Sequence, residues 1–86
     1  MILKYAPPAL RELAMLPKTT GQRILDKMDW FAAQEKPLSF AKKLTDPRLG
    51  SHRFRIGNYR VLVEVKKDVV KVLFVLAVRH RKEAYT

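Results

Sequence analysis

Six arginine and lysine side chains placed to bind phosphate, and two proton-active ones, lie between residues 53 and 85. They are Arg53, Arg55, Arg60, Arg79, Arg81 and Lys82, with His80 and Tyr85 among them. A guanidinium presents a rigid fork of donors that fits two phosphate oxygens, and it stays charged at any working pH. Histidine titrates near neutrality and suits proton transfer. Tyrosine can stack on a base or donate its hydroxyl. Side chains of these types could grip a phosphodiester, with arginines stabilising charge at phosphorus while a neighbour moves a proton. Each also has a plainer reading: solvated strand arginines, a surface histidine, a tyrosine packed at a sheet edge. His52 reads as an exposed strand residue, and Trp30 as packing in the core or against a partner. No phosphate-cradling glycine loop, metal-ligand cluster, paired carboxylates or Ser/His/Asp set accompanies them. The sequence therefore predicts no metal and no cofactor.

The elements that must position these groups are strands. His52-Arg53-Phe54-Arg55-Ile56 alternates polar and apolar, Gly57-Asn58 is a two-residue hairpin signal, and Tyr59 to Lys66 alternates again. That loop pairs Ile56 with Tyr59, Arg55 with Arg60, Phe54 with Val61 and Arg53 with Leu62. Lys67-Asp68 offers a second tight turn, and Val69 to Val78 is almost continuously apolar, as in a central strand covered on both faces. A two-residue loop there pairs Glu64 with Lys71, Leu62 with Leu73 and Arg60 with Val75. Arg53, Arg55, Arg60 and Arg79 then share one face. Phe54, Ile56, Val61, Val63, Val65, Val70, Val72 and Phe74 share the other, under the helices. A second loop one residue longer would move Arg79 across. Like charges directly opposite each other destabilise a sheet, so the facing Arg55 and Arg60 point to an anionic ligand.

Upstream, Ile2 to Ala6 reads as a short strand, and Pro7-Pro8 opens a helix carrying Leu10, Leu13 and Ala14 to Leu16 and Pro17. A second helix capped by Thr19 or Thr20 carries Ile24, Leu25, Met28, Phe31 and Ala32 and ends before Pro37. Residues 35–50 read either as a further helical turn or as an irregular connection. The tail from Arg79 ends the sheet and can form a short helical turn. The predicted fold is α+β: an N-terminal strand and a helical hairpin packed on a small, mainly antiparallel four-stranded sheet, followed by the short tail.

Composition agrees with a phosphate-binding role. The 86 residues make one domain, 1–86, too small to enclose a large active site, so chemistry belongs on an open face. Eighteen Lys and Arg against eight acids give a net charge of +10. Residues 1–47 carry eight bases and five acids, net +3, whereas residues 48–86 carry ten and three, net +7. Such asymmetry suits nucleic acid or an acidic protein. Cysteine is absent, which excludes disulfides and thiolate metal sites. No signal peptide is read at Met1–Pro8, and the apolar run from Val72 to Val78 is too short to span a bilayer. A cytoplasmic protein without a membrane partner is expected.

Arg53 to Leu62, followed by Val75 to Tyr85, resembles the paired hairpin and tail of the RelE/ParE superfamily of bacterial and archaeal toxins. Ala9 to Leu13 and Leu16 to Lys18 look like that family's first helix and turn, so the resemblance covers nearly the whole chain. It implies the toxin of a type II toxin–antitoxin system, held inactive in a hetero-oligomer with a cognate antitoxin. RelE-like members cut messenger RNA in the ribosomal A site without a metal, which implies contacts with ribosomal RNA as well. The ribose 2′-hydroxyl attacks the adjacent phosphorus and leaves a cyclic phosphate. ParE-like members poison DNA gyrase and lack the nuclease residues. By position, Arg60 looks like the hairpin arginine that binds phosphate, Arg81 like the tail arginine that stabilises the transition state, and Tyr85 like the tail tyrosine that stacks on or orients the substrate. Arg53 and Arg55 stand where some nucleases have lysines, one of them proposed as the base. Arginine is a poor base, which leaves that role to His80 or, less suitably, Lys82. Arg79 replaces the glycine usual before the His-Arg pair. The reading favoured is a messenger-RNA endoribonuclease, with a gyrase inhibitor as the alternative.

Overall fold

A computed structural model describes residues 1–67 and 70–84. The chain runs β1 (Ile2–Tyr5), α1 (Pro7–Ala14), α2 (Lys18–Ala33), a 3-10 turn (Pro37–Phe40), β2 (Lys42–Lys43), β3 (His52–Ile56), β4 (Tyr59–Lys67), β5 (Lys71–His80) and α3 (Arg81–Ala84). The sheet has five strands in the order β1-β5-β4-β3-β2, one more than the four expected from sequence. The additional strand, β2, is two residues long and carries no alternation from which it could be read. Only the β1–β5 pairing is parallel; the others are antiparallel.

The proline pair sits in the first turn of α1, where a missing N–H costs nothing. The second helix starts at Lys18, directly after Pro17, so Thr19 and Thr20 lie inside its first turn and neither caps it. Pro17 supplies the start instead: its carbonyl accepts the Gly21 N–H at 2.9 Å. Gly21 is buried where the helices approach, and a Cβ there would stand 3.3 Å from the Leu13 carbonyl oxygen.

Both helices lie on one face of the sheet. Ala9 and Leu13 from α1 and Ile24, Met28 and Phe31 from α2 meet Phe54, Ile56, Val61, Val63, Leu73, Val75 and Val78 in a single core. Phe31 stacks on Phe54 at 4.7 Å between centroids, and Phe40 and Trp30 extend the aromatic cluster outward. Trp30 is 45% exposed with the Lys27 ammonium over its ring, at the rim of the packing. Among the described residues, no helix is long and apolar enough to cross a membrane.

The β3–β4 register is the one the Gly57-Asn58 turn dictates, from Ile56↔Tyr59 to Arg53↔Leu62. Gly57 has φ 58°, as such a turn demands. The β4–β5 register differs from the expected one. Lys67 pairs with Lys71, so three residues intervene where two were predicted; Asp68 of that predicted turn lies outside the described residues. The first half of β5 is therefore inverted. Leu73 and Val75 enter the core, while Val72 and Phe74, expected there, take the opposite face. Val70 precedes the strand and is 49% exposed.

A second irregularity restores the parity. Val63 pairs with Val75 but Leu62 pairs with Ala77, leaving Leu76 as an extra residue in β5. Such a bulge reverses the side-chain alternation beyond it. Val78 returns to the helix side, and Arg79 to the side of Arg60.

Candidate phosphate-binding face

The strand pairings place Arg55 opposite Arg60 and Arg60 opposite Arg79. Directly paired residues share a face, so three arginines form a row across β3, β4 and β5 on the side away from the helices. The next row runs Lys42, Arg53, Leu62, Ala77. Two rows separated by two residues along a strand stand about 6.6 Å apart. Beside them, β2 and the segment after it rise at one flank. Lys42, Lys43, Leu44, Leu49, Arg53 and Leu62 line an open concavity there.

The arginines differ in setting. Arg55 is exposed and Arg53 half-buried. Arg60 is only 5% exposed. One of its guanidinium nitrogens donates to the Gly57 and Tyr59 carbonyls at 3.4 and 3.2 Å, so the side chain is folded back over its own turn. The same turn anchors the tail: the Arg81 N–H donates to the Asn58 carbonyl at 2.7 Å. The hairpin thereby brings the start of α3, with Arg81 and the exposed Lys82, to the end of the sheet that carries Arg60. Arg79 is ion-paired with Glu12 of α1, whose other carboxylate oxygen accepts the Val78 N–H at 3.0 Å. Nothing in the sequence pattern pointed to Glu12, which joins the site across 67 residues.

His80 does not join the row. It pairs with Tyr59, two residues along each strand from the Val61↔Val78 core pair, and so faces the helix side. Its ring meets Tyr59 edge-on at 5.4 Å and lines a recess with Glu12, Met15 and Leu16. The expectation that His80 stands beside the arginines is corrected by strand alternation: neighbours in sequence, Arg79 and His80 point to opposite faces. Tyr85 lies outside the described residues. His52 is half-buried rather than exposed, with Nδ1 2.9 Å from the Ser51 hydroxyl. Burial first, then Lys43 and Lys67, hold its pKa below the ordinary histidine value. Among the described residues no His, Cys, Asp or Glu cluster could hold a metal ion.

Chemically, this face offers fixed positive charge. It can bind successive phosphates and stabilise an oxyanion.

A model of the ParE toxin of type II toxin–antitoxin systems matches residues 3–85. Two solved structures share the fold. One is the RelBE2 toxin–antitoxin complex from Mycobacterium tuberculosis, with a TM-score of 0.74 at 24% identity, covering 93% of this chain and 90% of that one. The other is the RelB–RelE antitoxin–toxin complex from Methanococcus jannaschii, with a TM-score of 0.59 at 24% identity, covering 95% and 94%. No curated protein sequence matches at a significant level.

Proposed function

The chain belongs to the ParE toxin family of type II toxin–antitoxin systems, and from that premise we propose that it is a RelE-like endoribonuclease acting on messenger RNA at the ribosome. The observation that carries this reading is the Arg55–Arg60–Arg79 row, backed by Arg53 and Lys42. A protein that only occupies a protein target has no need of like charges placed directly opposite each other, whereas a polyphosphate backbone offsets their repulsion.

In this reading the 2′-hydroxyl attacks the adjacent phosphorus as its proton passes to solvent, the bond to the 5′-oxygen breaks as that oxygen takes up a proton from solvent, and a cyclic phosphate remains. Arg53, Arg55, Arg79 and Lys82 hold the flanking phosphates. Arg60 grips the scissile phosphate and Arg81 stabilises the charge that builds on its oxygens. Tyr85 stacks on or orients a base. His80, turned to the other face, is an indirect participant at most, so charge stabilisation carries more of the rate than proton transfer does. No metal takes part. The cognate partner is an antitoxin with an acidic segment that folds on contact; both similar structures are toxin–antitoxin complexes.

A second reading, inhibition of DNA gyrase without RNA cleavage, draws support from the family description and from the orientation of His80. Induced expression separates the two. Growth arrest with transcripts cut within codons, and only while translated, supports the nuclease; supercoiling defects with intact transcripts establish the gyrase reading. Arg60→Ala and Arg81→Ala should each abolish toxicity with an unchanged circular-dichroism spectrum. Full toxicity in both would remove the arginine face from the mechanism.

A further inference from the structure

We propose that Glu12, on the first helix, is a positioning residue for the arginine row. It holds Arg79 in place from the edge of the sheet, and the inference rests on that row being the RNA-binding face. β1 pairs only with Val72–Val75, so from Ala77 onward that edge of β5 has no strand beside it among the described residues. The Val78 N–H, pointing outward there, takes the Glu12 carboxylate as its acceptor at 3.0 Å. The second oxygen of the same carboxylate meets the Arg79 guanidinium. Arg79 leaves the sheet on the arginine face, and its guanidinium therefore folds over the open edge to reach α1.

A carboxylate beside a phosphate-binding arginine could act in either of two ways. It could compete with phosphate for the cation, or it could order the cation and reduce repulsion within the row. The Val78 bond decides between them. If Glu12 released Arg79 by swinging away, it would strand a part-buried backbone donor, and such donors are costly to leave unsatisfied. The carboxylate is thus tied to the backbone whether or not a phosphate is present. Only one guanidinium nitrogen is recorded on the carboxylate, and a guanidinium carries five N–H donors, so donors remain to meet a phosphate. A fixed negative charge at the end of the row also offsets the like-charge pairing of Arg79 with Arg60.

The test compares Glu12→Gln with Glu12→Ala, measuring affinity for a short single-stranded RNA together with thermal unfolding. Glutamine keeps an oxygen for Val78 but loses the charge that holds Arg79. Glu12→Gln should melt close to the unsubstituted protein yet bind RNA about threefold to fivefold more weakly, the range of an exposed ion pair. Adding Arg79→Ala to Glu12→Gln should then weaken binding less than Arg79→Ala does alone, because the two act through one contact. Glu12→Ala should lose thermal stability as well. Unchanged or tighter RNA binding by Glu12→Gln, or strictly additive effects, would overturn the inference. Arg55→Ala in the same assay separates the two layers. If it weakens binding while Glu12→Gln does not, the positioning role alone fails; if neither has an effect, the RNA-binding face fails with it.

Discussion

Arg60 meets a like charge on each side, Arg55 across one strand pair and Arg79 across the other. Its guanidinium is nonetheless nearly buried against the carbonyls of its own turn. A charge in that setting is oriented before any ligand arrives, which favours stabilisation of a transition state over mere attraction. A different titrating residue reports on the fold alone. Tyr5, at the end of β1, has its hydroxyl buried without a hydrogen-bond partner among the described residues. Burial first, and then the negative Asp29, push its pKa up to about 12 from 10.0. As pH rises through that window the unfolded chain loses its tyrosine proton before the folded chain does, so stability should fall there. Tyr5→Phe should flatten the decline, read as the urea midpoint from pH 9 to pH 11.

The first hairpin was fully legible in the sequence because its turn chemistry fixes its register. The face of Arg53, Arg55 and Arg60 followed from it by alternation alone. The second hairpin was not legible. Its strand is apolar on both faces, so no alternation reports a slip, and neither the longer connection nor the bulge at Leu76 has a residue signature. Arg79 reached the expected face because the two irregularities cancel. His80 was misplaced because a tail residue was judged by its neighbours in sequence and not by its side of the strand. β2 escaped notice for want of length. A glycine nearby marks where this part of the sheet is tightly built. Gly50 has φ 122°, and a Cβ there would stand 2.6 Å from the Val63 carbonyl oxygen, beside the bulge. Ser51 then donates its N–H to that carbonyl, and its hydroxyl accepts the Val65 N–H. Gly50→Ala should destabilise the fold by about 1–3 kcal/mol, measured by chemical denaturation.

At the scale of the molecule, helices cover one face of the sheet and the row of Arg55, Arg60 and Arg79 lies on the other, in a chain of net charge +10. Binding to single-stranded RNA should accordingly weaken steeply with salt. If Arg53, Arg55, Arg60 and Arg79 each neutralise one phosphate, the logarithm of the affinity should fall against that of salt with a slope of about −3. Arg55→Ala should make the slope shallower by about 0.7. A slope near zero would mean that the face does not track a phosphate backbone. The bulge of the second hairpin has a genetic consequence. Leu76 is the one residue by which β5 outnumbers β4 at the bulge, so without it Val75 against Val63 and Ala77 against Leu62 would be consecutive pairs of a regular ladder. Deletion of Leu76 would therefore keep Arg79 beside Arg60 and His80 on the helix side. Such a chain should keep its toxicity; a deletion variant that folds but is no longer toxic would mean that the bulge itself, and not only the faces it sets, shapes the site.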